Sequence, residues 1–193
     1  MSTDSGTIGI AMPTSTSDRW IADGANMAKQ FEILGYRPDV QFADDDVKKQ
    51  IAQIEAMIAA KDKALIIGAI DGSALTAVLQ KAAAAKIPVI SYDRLIRDTE
   101  NVDYYATFDN FKVGVLEATY LEKHLGLKSG KGPFTIELFA GSATDNNAGF
   151  FFNGAMSVLN PYLKSGRLEV LSGQTKFKQV TTTNWDGKVA GAA

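Results

Sequence analysis

Apolar positions along this chain alternate between two rhythms, short continuous runs and stripes spaced by three and four. Residues 7–12 form an apolar run that suits a buried strand. Asp18 then stands where it would cap a helix reaching Leu34, with Gly35 just past its end. Trp20, Gly24, Met27, Phe31 and Leu34 make one face of that helix. Residues 39–42 read as a second strand, and Val47, Ile51, Ile54 and Ile58 stripe a second helix. Strands at 63–68 and 88–92 flank a third helix marked by Leu75, Val78, Leu79 and Ala82, and 104–108 reads as a fifth strand. Alternation of this kind predicts an α/β fold, a doubly wound parallel sheet with helices on both faces and right-handed crossovers.

The rhythm then restarts. Asp109-Asn110 can cap a helix over 111–125 that Gly126 closes. A strand at 134–139, a helix at 147–163 with Phe151, Ala155, Val158 and Tyr162 on one face, and a strand at 168–171 follow. The expected organisation is an N-terminal α/β lobe at 6–109 and a partial C-terminal α/β lobe at 110–193. The second lobe has only a few strands, and so small a sheet leaves apolar surface uncovered. It is expected to be incomplete, in a chain lacking its natural C-terminal part.

Strand ends direct attention to the chemistry. In open parallel α/β sheets ligands bind beyond the carboxyl ends of the strands. There Pro88-Val-Ile-Ser-Tyr-Asp-Arg94 ends in an acid beside a base, and the first strand opens onto Pro13-Thr-Ser-Thr-Ser-Asp-Arg19-Trp20. A carboxylate next to a guanidinium fork suits a polyhydroxylated ligand. Asp93 and Arg94 could equally be an exposed ion pair, and Arg19 could simply decorate a helix start. Asp109, Asp145 and Asn147 also suit helix caps, and Trp185 could be core. Trp20 fits the first helix's apolar stripe.

Other chemistries fit poorly. The first strand–helix turn lacks the glycines of a dinucleotide site, and Gly130-Lys131-Gly132 lacks the hydroxyl of a phosphate loop. Asp44, Asp45 and Asp46 read as a solvated helix start rather than a metal site. His124, the single histidine, suits the last turn of a helix, and cysteine is absent, so no usual nucleophile–base pair can be assembled. A formal net charge of -2 gives no basic footprint for nucleic acid. No apolar run reaches the roughly 18 residues that span a bilayer. Met1-Ser-Thr-Asp-Ser-Gly6 has no signal-type apolar region, which leaves either a cytosolic protein or a removed leader.

Several motifs together resemble a known family. Gly9-Ile-Ala-Met-Pro-Thr14, Arg19-Trp20, Ala43-Asp-Asp-Asp46, Ile70-Asp-Gly72, Ser91-Tyr-Asp-Arg-Leu-Ile96 and Tyr104-Tyr-Ala-Thr-Phe-Asp-Asn110 are similar to the periplasmic sugar-binding proteins of ABC importers, the type I periplasmic binding proteins. Lys131-Gly-Pro-Phe134, Ile136-Glu-Leu-Phe139, Asp145-Asn-Asn147 and Gly154-Ala-Met-Ser-Val-Leu159 extend the likeness toward Asp186. Within that family the chain resembles the multiple-monosaccharide binders and, further off, the xylose and ribose/galactose binders.

The resemblance implies two lobes closing on one monosaccharide, an aldose such as glucose, galactose, arabinose or xylose, and delivery to the membrane subunits of an ABC transporter. It implies no enzymatic activity, no cofactor and a periplasmic location, and leaves a sensor kinase or chemoreceptor open as a further partner. By the same resemblance Arg19, Asp93 and Arg94 are first-lobe ligands, Asp109 lies at a hinge, and Asp145 and Asn147 reach from the second lobe. Trp185 matches an aromatic that stacks on the sugar's apolar face. The alternatives are the effector domain of a transcription regulator, for which Met1–Gly6 leaves no DNA-binding headpiece, and a carbohydrate-processing enzyme built on the same carboxylates.

Overall fold

A computed structural model describes residues 5–192. They divide between Thr107 and Phe108 into two compact units. The first contains β1 (Thr7–Met12), α1 (Asp18–Ile33), β2 (Arg37–Phe42), α2 (Val47–Ala59), β3 (Ala64–Ile67), α3 (Thr76–Ala84), β4 (Val89–Tyr92) and β5 (Tyr104–Ala106). Its strands form one sheet in the order β2-β1-β3-β4-β5, and every neighbouring pair is parallel.

Side-chain alternation along the strands divides the core between the two faces of this sheet. Ile8, Ile10 and Met12 of β1 join Ile66 and Trp20 on the α1 side, with Met27, Phe31, Val40 and Ile90 packed against them. Ala11, Leu65, Ile67 and Val89 point the other way, into a cluster with Ile54 and Met57 of α2 and Val78, Leu79 and Ala82 of α3. The continuous apolar runs and the helical stripes read from the sequence therefore account for both layers, since a strand apolar on both sides buries both faces.

Boundaries differ where local geometry intervenes. Ser17, extended at φ -111° and ψ 121°, is the α1 N-cap, and Asp18 is already helical. Leu34, expected on the inner face of α1, is its exposed C-cap. Strand β5 stops at Ala106 because its partner β4 ends where Asp93 turns into the left-handed region at φ 63°. The acidic triplet divides its work. Asp46 caps α2 by accepting from the Lys48 and Lys49 amides, while Asp44 pairs with Lys49 at 2.6 Å.

The second unit contains α4 (Asn110–Leu125), β6 (Phe134–Ile136), α5 (Asn146–Lys164), β7 (Leu168–Val170) and α6 (Gly187–Gly191). Strands β6 and β7 pair in parallel. The ladder ends there because Glu137 accepts from the Ser172 amide and hydroxyl. The strand expected over 134–139 therefore stops at Ile136, and Ala140 beyond it bridges in parallel to Thr181. Ala118, Leu127, Leu159 and Leu168 are the buried core between the helices and this small sheet.

Helices α4 and α5 approach at two glycines. A Cβ on Gly114 would overlap the Phe151 carbonyl, and a Cβ on Gly154 would overlap the Phe111 carbonyl. His124 lies in the last turn of α4 as expected, stacked on Tyr120 with ring centroids 6.0 Å apart. Among the described residues, no helix is long and apolar enough to cross a membrane.

Candidate ligand-binding site

In the first unit, polar side chains gather beyond the carboxyl ends of β1 and β4. The left-handed turn at Asp93 is held through its main chain. The Asp93 amide donates to the Ala106 carbonyl at 2.7 Å, and the Asp93 carbonyl accepts from the Tyr105 and Thr107 hydroxyls at 3.1 and 2.9 Å. The carboxylate is thereby aimed at α1, where Arg19 Nη2 donates to Asp93 Oδ2 at 2.7 Å. Arg19 Nε also donates to Asp23 at 3.1 Å. Burial lowers the Arg19 pKa, but the hydrogen bond and charge of Asp93, helped by Asp23, outweigh it and raise the value overall.

The neighbouring residues read as a possible exposed salt bridge are buried. Asp93 and Arg94 are 8% and 7% exposed, and the carboxylate pairs with Arg19. Arg94 runs inward, and its Nη1 donates to the Ala69 carbonyl at 3.1 Å. Two consecutive residues at a turn cannot both follow one direction, so the left-handed backbone at Asp93 separates them.

Trp20 joins the two arginines. It is buried in the α1 core, as its place in the stripe predicts, but both guanidiniums lie over its ring, with Cζ 4.3 Å away for Arg19 and 5.2 Å for Arg94. Cations favour the negative face of an indole, so this ring orients two candidate ligands. Periodicity alone marks Trp20 only as core.

Other supports also escape sequence reasoning. Buried Gln50 donates to the Gly68 carbonyl and accepts from the Ile70 amide, which fixes the loop after β3. Buried Ser91 donates to the Arg94 carbonyl at 2.7 Å. Glutamine in a helix and serine in a strand carry no sequence signal for such contacts. Gln50 reaches backbone groups 18 and 20 positions away, and Ser91 reaches across the turn at Asp93.

In the second unit, Asp109 and Asp145 are helix caps. Asp109 accepts from the Lys112 amide at 2.9 Å and is exposed, while Asp145 accepts from the Asn147 amide at 2.9 Å and is buried. Asn110 is not the cap. It is buried in the first turn of α4, and its amide donates to the Asn147 Oδ1 at 2.9 Å.

Asp145 Oδ2 accepts from Trp185 Nε1 at 3.0 Å, which brings two of the expected site residues together. The bonds to the Asn147 amide and the Trp185 indole orient the Asp145 carboxylate. Trp185 is 40% exposed and meets the edge of Phe151. Of the adjoining phenylalanines, Phe152 packs on Phe177 and Phe150 is exposed. Among the described residues, no group of three or more His, Cys, Asp or Glu side chains is placed to hold a metal ion.

The first unit thus presents a carboxylate and two guanidiniums beside an indole, and the second presents a carboxylate and amides near another; groups of these kinds suit ligand hydroxyls, and an indole suits C–H groups. The chain is 61% identical over 189 residues to a multiple sugar-binding periplasmic protein, SbpA, of Azospirillum brasilense, covering 98% of this chain and 53% of that protein. It is 59% identical, with the same coverage, to the multiple sugar-binding periplasmic receptor ChvE of Rhizobium radiobacter. The chain therefore spans about half the length of the curated relatives it matches.

A crystal structure of an ABC transporter solute-binding protein from Clostridium phytofermentans with bound β-D-glucose is similar at a TM-score of 0.93 and 46% identity, covering 96% of this chain and 57% of that one. Residues 8–193 match the family model described as a periplasmic binding protein domain. With the parallel sheet and its strand-end polar cluster, this match places the chain in the periplasmic binding protein family.

Proposed function

We propose that this chain is the sugar-recognising part of a solute-binding protein that takes up an aldose and hands it to the membrane subunits of an ABC transporter. The observation that carries the reading is the likeness to a glucose-bound solute-binding protein at a TM-score of 0.93. In the first unit, Arg19, Asp93 and Arg94 are the proposed sugar ligands. In the second, Asp109, Asp145 and Asn147 are the proposed polar contributors, and Trp185 covers a C–H face. Each hydroxyl donates once and accepts twice, so carboxylates and guanidiniums can saturate it.

Charged hydrogen bonds contribute about 1.5–3 kcal/mol each, and a polar group left unpaired in a closed site costs a similar amount. That asymmetry is the source of selectivity among epimers. The process is binding without chemistry, in the periplasm, where the named relatives reside. A sensor kinase or chemoreceptor would read the same loaded form.

Calorimetric titration with D-glucose, D-galactose, L-arabinose and D-xylose tests the reading, using this chain beside a form extended to its relatives' length. Binding of at least one aldose by the extended form, with the sugar recovered unchanged, is the expected result. Failure of all four sugars in both forms overturns the sugar assignment, and appearance of a product overturns binding without chemistry.

A further inference from the structure

The Trp185 ring occupies the space that a side chain on Gly141 would take. A Cβ added to Gly141 would overlap Cη2, Cζ2 and Cε2 of the indole. Gly141 lies outside the left-handed region, so the backbone there does not require glycine. The requirement is space.

The local chain path explains why the ring arrives there. The Ala140 amide donates to the Val180 carbonyl at 2.7 Å and the Thr182 amide to the Gly141 carbonyl at 3.1 Å, so the two segments run side by side. Past Thr182 the chain reverses, with the Trp185 amide donating to the Thr182 carbonyl at 3.2 Å. The reversal places Asn184 and Trp185 at φ 53° and 58°. Two successive non-glycine residues in that region are uncommon, most of all when one is bulky, and such strain gathers at ligand clamps. Here the strained turn folds the indole back over Gly141, within reach of Asp145 Oδ2 at 3.0 Å and the edge of Phe151.

We propose that Gly141 is a positioning residue for sugar recognition. Its missing Cβ is the space that lets Trp185 reach Asp145 and present its indole in one orientation. One small residue thus couples the stacking surface to the carboxylate beside it. The sugar-recognition half of this inference rests on the aldose reading above; the positioning half does not.

The two halves separate experimentally. The chain contains two tryptophans, so its ¹H–¹⁵N spectrum shows two indole signals, and that of Trp185 is the one lost in Trp185→Phe. In Gly141→Ala the Trp185 indole signal should shift and lose protection from hydrogen exchange, while the Trp20 signal stays. An unmoved, protected Trp185 signal overturns the positioning role. If Gly141→Ala does not fold, Gly141→Ala/Trp185→Ala must fold, because the clash is with the indole; failure of both also overturns it.

Titration with D-glucose, in the form extended to the relatives' length, reads the second half. Gly141→Ala should weaken binding about tenfold, a loss in the range that overpacking gives. In a Trp185→Ala background the same change should alter affinity by less than about twofold, since coupled residues are not additive. Equal losses in both backgrounds overturn the coupling. If the parent protein binds no aldose, the sugar half falls while the indole signals still decide the positioning.

Discussion

Arg19 and Asp93 lie 74 positions apart and meet in a 2.7 Å ion pair that joins the start of α1 to the turn after β4. The pair is asymmetric, because the Arg19 side chain is 48% exposed and the Asp93 side chain only 10%. A half-exposed pair contributes little to stability. Its value is orientation, since it fixes a carboxylate and a guanidinium at one strand-end position.

Asp93→Asn should therefore weaken aldose binding about tenfold to a hundredfold, the loss of one charge-assisted hydrogen bond. Arg19→Met should weaken binding comparably while shifting the melting temperature little. Titration calorimetry with thermal unfolding separates the two effects. A large melting shift without loss of affinity would make the pair structural.

Gly154→Ala should destabilise the second unit by about 1–3 kcal/mol, the usual cost of overpacking. The cost belongs toward the upper end because a Cβ there would overlap the Phe111 carbonyl, which is backbone and cannot rotate away. Gly114→Ala should behave alike against Phe151. Urea unfolding followed by helical circular dichroism measures both.

Asn147→Ala removes the 2.9 Å hydrogen bond that the buried Asn110 amide donates. Loss of one such bond costs about 0.5–1.5 kcal/mol. Replacing both asparagines by alanine should cost less than the sum of the single changes, and unfolding data for the four variants supply the comparison. Additive costs would show that the side chains do not act as a pair.

Asp62 gives a pH dependence of definite sign. It is buried, its Oδ2 has no hydrogen-bond partner, and burial, followed by the Asp39 charge, raises its pKa above the ordinary 3.8. A carboxyl whose folded value is raised binds more protons when native. Its contribution is fully present below 3.8 and is lost as pH rises through the folded value. Asp62→Asn should remove that loss, so the variant's stability should fall less between pH 4 and 7, as denaturant titrations across the range would read.

Much of the site was legible as residue types at strand ends, and less of it as partnerships. Asp93 and Arg94 are adjacent in sequence and read naturally as a pair, yet the left-handed turn at Asp93 sends one to Arg19 and the other to the Ala69 carbonyl. Asp109-Asn110 reads as an interchangeable cap, but Asp109 caps α4 while Asn110 reaches Asn147. Ser91, Tyr105 and Thr107 carry no strand-end signal at all. Ser91 matters because the turn brings the Arg94 carbonyl to it, and Tyr105 and Thr107 because parallel pairing sets β5 beside β4.

The order of strands and helices, the two faces of the first sheet and the strand ends that carry charge follow from the sequence by itself. They depend on periods of 2 and 3.6 residues, which are set by backbone geometry within one element. Only the tertiary structure decided that Trp20 lies under two guanidiniums, that Arg19 meets Asp93, and that the Trp185 ring lies where a Cβ on Gly141 would be. Those contacts join residues whose separation along the chain bears no relation to their distance in space. Packing and hydrogen-bond satisfaction across the fold select them, and no local pattern records that selection.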